Sequence, residues 1–453
     1  MNHPTPGYAS GLLPIPDRLI VLTFDDGHKS DITNAAPLLS EYGFGATFFI
    51  SEGLGVHDPT MDGQFLDWDD IRTLHNQGFE IGNHTKRHLD LTRLSEDQIR
   101  DEIRFIQRRC EEHQIPTPTT FCYPGFLHSP KVVDVVAELG FAFARRGVSP
   151  EYHDVNRGFN GCGARGPVYD PREDHPLLIP TTGYAGPEWT LNDLVWAVDQ
   201  ARDEKIASIC FHGVPCRNYP WVSTENEVFV GYMRYLRDAG CTVISMGELS
   251  RYVNPEWVRG DPYESIDRRC RFSAVDARCE YRVDPLGLDQ PTPNFSWKIQ
   301  AKERSQSQSA YRVLVSSSRE NLDAEIGDRW DSQKVSSGST SGIAYAGNQL
   351  RSGEKCWWKV LTWDGANISG TDSFPATFEM GLLDVEDWKA SWICADPSVS
   401  APLLRKQLTL SASVVRARAY VSGLGYYELY VNGDRVGDQV LDPATTYYHN
   451  DQP

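Results

Sequence analysis

Short apolar runs alternate with longer amphipathic stretches from Arg18 to about Val253. Leu19 to Phe24 is almost continuously apolar, as in a parallel strand covered on both faces. Ile32 to Tyr42 predicts a helix ended by Gly43, and Gly45 to Ser51 the next strand. Asp69 to Gln77 follows as a helix with Gly78 at its end, then Phe79 to Gly82 as strand. Ser95 to His113 is a long charged helix, and Thr119 to Tyr123 and Ala207 to His212 are further strands. Strand–helix alternation of this kind predicts an α/β fold with a mainly parallel sheet.

The pattern changes near Asn254. Residues 254–275 are charged and irregular, and predict a linker. Beyond Cys279 the chain turns to short alternating strands, such as Tyr311 to Val315 and Trp357 to Val360. Trp297, Trp330, Trp357, Trp358 and Trp363 supply a heavy apolar core, the texture of an all-β sandwich. A second β region starts near Leu383. Its expected strands are Ala417 to Ser422 and Tyr426 to Val431, the latter followed by the hairpin signal Asn432-Gly433.

Charge narrows the partners. The formal net charge is −18, and no lysine or arginine run forms a basic stripe, so nucleic acid and anionic membrane are not expected. No apolar stretch reaches the ~18 residues a spanning helix needs. Met1 to Pro6 shows neither a basic n-region nor an apolar h-region, so no signal peptide is expected. The ten cysteines are scattered without a Cys-x-x-Cys pair, the usage of reduced thiols in a cytoplasmic protein. Nothing in the pattern fixes an oligomeric state.

Candidate chemistry sits at three strand ends. Thr23-Phe24-Asp25-Asp26-Gly27 closes the first apolar run, His84-Thr85-Lys86-Arg87-His88 follows a second strand, and Phe211-His212-Gly213 ends a late one. Taken singly, Asp-Asp-Gly is ordinary capping and turn chemistry. A His-x-x-x-His pair on a helical turn would face both imidazoles one way. Thr85 can fix a ligand or the local backbone through its hydroxyl. One carboxylate and two histidines make a set that holds a divalent metal and leaves a position open for water. The second carboxylate and the late histidine then remain free to move protons.

These residues resemble the polysaccharide deacetylases, the NodB-homology or carbohydrate esterase family 4 domains. Thr23 to Asp26 matches that family's first motif, His84 to His88 its second, and Ile209-Cys210-Phe211-His212 its fifth. The resemblance implies a distorted (β/α) barrel over 15–253 that removes acetyl groups from carbohydrate. It implies Asp26, His84 and His88 as ligands of a divalent metal, zinc first, with cobalt, nickel or manganese as alternatives. It further implies Asp25 as the base that takes a proton from water and His212 as the acid that protonates the leaving group.

The third motif departs from the family pattern. Cys122 stands where the family has an arginine that holds the base, and Gly125 where it has a tyrosine whose backbone N–H completes the oxyanion hole. Arg145 and Arg146, with Arg165 behind them, are the candidate replacements. Tyr123, Gly125 and Arg145 are accordingly expected on the substrate side. Glu188-Trp189 and Asp170-Pro171 are weak candidates for the fourth motif, and Cys210 replaces a leucine in the fifth. Trp189 and Trp221 can stack on sugar rings or pack in the core.

From Cys279 onward the chain resembles the N-terminal, non-catalytic modules of bacterial α-L-rhamnosidases. Asn294 to Trp297, Ala310 to Val313, Trp330 to Ser332, Phe378 to Leu382, Trp388 to Ile393, Gly425 to Gly433 and Val440 to Pro443 carry that likeness. It implies a fibronectin-like β-sandwich over 276–381 and a partial carbohydrate-binding-like β domain over 382–453. Rival readings are an amidohydrolase of a small cyclic amide or ureide, and a catalytically impaired carbohydrate-binding scaffold. Because all the chemistry precedes Asn254, residues 1–253 are expected to fold and act alone.

Overall fold

A computed structural model describes residues 11–54, 63–151, 164–256, 260–396, 399, 402–409, 414 and 417–436. The expected match at Val440 to Pro443 lies outside them. The chain divides into two compact units, Met1–Trp388 and Lys389–Pro453.

The first unit opens with a curled, all-parallel sheet. Its strands are β1 (Leu19–Phe24), β2 (Thr47–Ile50), β3 (Glu80–Asn83), β4 (Thr120–Cys122), β5 (Phe143–Arg145), β6 (Gly183–Tyr184), β7 (Ala207–Phe211) and β8 (Thr242–Ile244). Their order is β5-β4-β3-β2-β1-β7-β6, with β8 also paired to β1. Every residue of β1 is buried, which is why its sequence is apolar without alternation. The register Phe24↔Phe48 and Phe24↔Phe211 brings the ends of β1, β2 and β7 level, so the residues after them emerge together.

Helices wrap the sheet: α1 (Ala36–Tyr42), α2 (Trp68–Asn76), α3 (Glu96–Glu112), α4 (Pro130–Glu138), α5 (Leu191–Gln200) and α6 (Asn226–Asp238). Side-chain capping sets the starts of α2, α3 and α5. Asp67 with Asp70, Ser95 with Gln98 and Thr190 with Asp193 each form a reciprocal capping box. Gly43 ends α1 in the left-handed region at φ 67°, as its position in the sequence predicts. The helix expected from Ile32 begins instead as a π-helical turn, Asp31–Ala35.

The stretch 254–275 departs from the linker expectation in its second half. Glu264–Arg271 forms α7, whose Ile266 and Cys270 join the core that contains Leu91, Phe121 and Leu177. Arg269 reaches Asp174 at 2.6 Å and Glu151 at 3.0 Å, and Ser265 Oγ donates to Asp174 at 2.9 Å. The charges that made the stretch look solvated are one face of an amphipathic helix, and that face meets buried carboxylates.

The β-sandwich follows directly. One sheet holds β9 (Phe272–Cys279), β10 (Asn294–Ala301) and β14 (Ile343–Ala344). The other holds β11 (Gln308–Ser316), β12 (Trp330–Asp331), β13 (Val335–Ser336), β15 (Lys355–Asp364) and β16 (Ala376–Glu379). Phe295, Trp297, Tyr311 and Trp358 fill the space between them with Trp330 partly buried against them, whereas the expected core residues Trp357 and Trp363 pack half-buried in a separate cluster with Leu314, Leu322 and Leu361. The sandwich packs on the parallel domain. Arg165 bridges Asp193 and Asp284, and Trp196 Nε1 donates to Pro375 O at 3.1 Å.

Among its described residues the second unit shows one short hairpin, β17 (Tyr430–Val431) with β18 (Asp434–Arg435), turning at Asn432 (φ 55°) and Gly433 (φ 98°). The strand expected over Ala417 to Ser422 is not formed. Alternation gives a strand only where a partner edge exists, and residues 417–421 are exposed. Among the described residues, no helix is long and apolar enough to cross a membrane.

Candidate metal centre

The predicted site residues converge on one end of the parallel sheet. Asp25 and Asp26 follow β1, His84 follows β3, Arg145 ends β5 and His212 follows β7. This is the carboxyl edge, where loops of α/β sheets carry chemistry. Asp26 turns out of its strand in the left-handed region at φ 74°, followed by Gly27 at φ 70°. The turn lets two neighbouring carboxylates face the same centre instead of opposite faces of the sheet.

The histidine motif is not helical, contrary to the expectation from its spacing. Thr85 and His88 both take positive φ, 68° and 52°, and the segment is a tight loop. Thr85 Oγ1 accepts from His88 N at 3.2 Å, so the hydroxyl does fix the backbone. Asn83 Oδ1 accepts from Thr85 N, and Glu102 on α3 accepts from Arg87 N and Arg87 Nε. These bonds hold two imidazoles in place where a helix would have used its own ladder.

Asp26 lies among four imidazoles. Its Oδ1 is 3.5 Å from His84 Nε2 and 3.6 Å from His88 Nε2. Its Oδ2 is 3.8 Å from both His28 Nε2 and His212 Nε2. Oδ1 is buried with no hydrogen-bond partner of its own among the described residues. Ligand atoms 2.0–2.1 Å from one tetrahedral ion stand about 3.3 Å apart. The Asp26, His84 and His88 atoms therefore fit a divalent ion with little adjustment, and they form a compact group within 4.8 Å of one another.

The charges around Asp26 agree with a site for a cation. Burial alone would raise its carboxyl, but His28, His84, His212 and His88 outweigh it and hold it well below the usual range. Burial pulls His84 down, yet Asp26 and Asp25 raise it above its ordinary value. His88 is pushed down to about 4 by burial and by neighbouring His84. His84 Nδ1 sits 2.9 Å from Cys122 O, a second partner that sets the ring's orientation.

Asp25 lies beneath, 1% exposed. Arg145 Nη2 contacts both its oxygens, and Arg145 Nη1 donates to Thr181 Oγ1 at 2.7 Å. Burial opposes ionisation of Asp25, but Arg145, His84 and His212 more than compensate and keep it charged. The thiols of Cys122 and Cys210 each stand 3.5 Å from Asp25 Oδ2. Asp25, His84 and Cys122 form a second compact group of metal-ligating atoms. A cation is poorly served there. The Arg145 guanidinium already lies 2.9 Å from Cys122 Sγ, and burial pushes that thiol well up.

Two expected substrate contacts are corrected. Tyr123 is fully buried and its hydroxyl donates to Leu177 O at 2.8 Å, because the strand's alternation turns it into the core beside Phe121. Arg145 is likewise 0% exposed and serves Asp25 rather than the open side. Of the other arginine candidates, Arg146 pairs with Glu151, and Arg165 with Asp193 and Asp284. Gly125 occupies a short 3₁₀ turn at φ 57°, partly exposed. Trp189 is 2% exposed and packs in the core, and Asp170 pairs with Arg172.

His28 was not singled out from sequence, although it directly follows Asp-Asp-Gly. It stacks on Phe65 at 5.1 Å, and Cys216 Sγ lies 3.6 Å from its Nδ1. Burial alone would lower it, but Asp26, Cys216 and Asp31 raise it to about 10. Its position after the turn was the available signal; its neighbour Cys216, far along the chain, carried none.

Residues 14–144 match the family model described as polysaccharide deacetylase. Residues 274–384 match a Rha78A-like, N-terminal immunoglobulin domain, and residues 412–453 an alpha-L-rhamnosidase N-terminal domain. An alpha-L-rhamnosidase of Formosa agariphila is 36% identical over 37% of this chain and 20% of its own length. A peptidoglycan-N-acetylglucosamine deacetylase of Bacillus cereus is 29% identical over 30% of this chain and 59% of its own. A family 4 acetyl xylan esterase from Clostridium thermocellum, solved with cobalt, is 22% identical, covering 53% of this chain and 96% of that one at a TM-score of 0.35. The chain spans about a fifth of the length of the curated rhamnosidases it matches.

Proposed function

We propose that the N-terminal part of this chain is a metal-dependent hydrolase that removes acetyl groups from a carbohydrate, releasing acetate. The single observation that carries the reading is the buried, unpartnered Asp26 Oδ1 facing His84 and His88 beside a second, spare carboxylate. The match of residues 14–144 to the polysaccharide deacetylase model supports the same chemistry.

Asp26, His84 and His88 would hold the ion, with zinc the first choice for two imidazoles and a carboxylate. Such an ion supplies Lewis acidity, acidifying water and polarising the acyl carbonyl. Asp25, kept ionised by Arg145, takes a proton from the attacking water. His212 Nε2, beside Asp26, gives a proton to the departing amine or alcohol as the C–N or C–O bond breaks. The Gly125 N–H is the donor assigned to the acyl oxygen as its charge grows. The rhamnosidase-like modules carry no assigned step, and carbohydrate binding is the role proposed for them.

Asp25→Asn tests the assignment. The variant is expected to keep its metal while acetate release from an acetylated oligosaccharide falls by ~10²–10⁴-fold. Near-normal release would show that Asp25 is not the base.

A further inference from the structure

The loop that follows His212 carries an aromatic pair that the deacetylation chemistry does not use. Trp221 is 62% exposed, and its indole packs against Tyr219 at 5.3 Å in a T-shaped contact. A single exposed apolar side chain is ordinary on a protein surface. Its position is what distinguishes this one. Among the described residues of the parallel domain, Trp221 is the one strongly exposed aromatic side chain. It lies on the connection that leaves the strand bearing His212. Tyr219 in turn contacts the His28 ring at 6.2 Å, and His28 stands beside Asp26. Two ring contacts thus link the exposed indole to the residue beside the proposed metal ligand.

The loop is also held in shape. Val214 N donates to Ser30 Oγ at 2.8 Å, and Asn34 Nδ2 donates to Val214 O at 2.7 Å, which tie the loop to the turn after β1. Cys216 N donates to Ser223 Oγ at 2.9 Å, and Thr224 N to Gly213 O at 3.3 Å, which close the loop on itself. An aromatic ring presented on a braced loop loses little freedom when something stacks on it.

We infer that Trp221, backed by Tyr219, is a sugar-stacking subsite, so that the substrate is an oligosaccharide with one pyranose at the metal centre and another on the indole. The inference rests on the deacetylase reading for the first of those two rings. A pyranose presents a face of C–H groups, which packs on the electron-rich face of an indole while its hydroxyls stay in water. The buried Trp189, 2% exposed, has no open face to offer.

Calorimetry on the full, zinc-loaded chain provides the test, with tetra-N-acetylchitotetraose and acetylated xylotetraose as probes and their monosaccharides as controls. At least one tetramer is expected to bind. Trp221→Ala should weaken that binding about tenfold, Trp221→Phe by no more than about threefold, and neither should change the weak monosaccharide signal. Failure of both tetramers to bind, or an alanine variant within about twofold of the parent, overturns the subsite. Acetate release is followed in parallel. Trp221-dependent binding without acetate release keeps the subsite and defeats the deacetylase reading. Acetate release with Trp221-independent affinity does the reverse.

Discussion

Arg145 Nη2 lies 2.6 Å from Asp25 Oδ1 and 2.5 Å from Asp25 Oδ2, although the two residues are 120 positions apart. Arg145 stands in register with Cys122 on the neighbouring strand, so the guanidinium reaches Asp25 from one strand further round the sheet. The short Cys122 side chain leaves the room that the guanidinium fills.

Arg145→Ala should therefore do two things. Leaving Asp25 buried without its cation is expected to destabilise the fold by about 3–5 kcal/mol. It should also remove most turnover in whatever protein remains folded. Arg145→Lys restores the charge but not the planar contact to Asp25 and Thr181, so it should rescue stability more than activity. Denaturant melts and acetate release together check this, and an alanine variant of parental stability would contradict it.

Metal affinity should rise with pH through and above 6.5. Asp26 and Asp25 raise His84 above its ordinary value in the metal-free protein, so a proton must leave that ring before it can coordinate. Below the raised value the proton competes with the ion; above it the competition ends. His88, pushed down to about 4, is already neutral across this range and adds no slope. Zinc titrations between about pH 5.5 and 8 read the effect. A flat profile would mean that His84 is not a ligand.

His28→Gln should leave the metal in place and slow the reaction. His28 lies on the far oxygen of Asp26, away from His84 and His88, so it orients the carboxylate without belonging to the ligand set. Loss of such an outer partner typically costs about 10–100-fold in affinity or activity. Metal content by atomic absorption, with kcat and KM measured separately, tests this, and a variant equal to the parent in all three would sink it.

Much of the arrangement was legible in the sequence because it was local. The apolar run Leu19 to Phe24, the Asp-Asp-Gly turn and the strand before His212 each announced themselves over a few residues. The long charged run Ser95 to His113 likewise gave a helix close to its observed span, Glu96–Glu112. What was not legible depended on the register between distant strands. Nothing near Arg145 distinguishes it from Arg146, yet one meets Asp25 and the other Glu151. Tyr123 looked like a site residue from its motif, and only the pleat at β4 turns it into the core. The His84 and His88 spacing suggested a helix because a loop with two left-handed residues leaves no periodic trace. Helix α7 was hidden by its own charges, whose partners Asp174 and Glu151 lie about a hundred residues upstream.

That helix changes the expectation for a fragment. Cutting after Val253 removes Ile266 and Cys270 from a core and takes Arg269 from Asp174, which is 1% exposed. With about 3 kcal/mol of apolar burial lost at Ile266 and Cys270, residues 1–253 should melt roughly 6–12 °C below residues 1–388. The longer fragment keeps the helix and the sandwich contacts at Arg165 and Trp196. Calorimetric scans of both fragments decide the matter; equal melting temperatures would return 254–275 to the status of a linker.

The central claim is that Asp26, His84 and His88 hold one divalent ion on which acetate release depends. The most direct measurement strips the full chain with a chelator, reloads it with zinc, and follows bound metal and acetate release from an acetylated oligosaccharide together, for the parent and for His84→Ala. The account predicts one zinc per parent chain, activity lost on stripping and restored on reloading, and neither metal nor activity in the variant. Stoichiometric zinc in His84→Ala, or unchanged acetate release from the stripped parent, would contradict it.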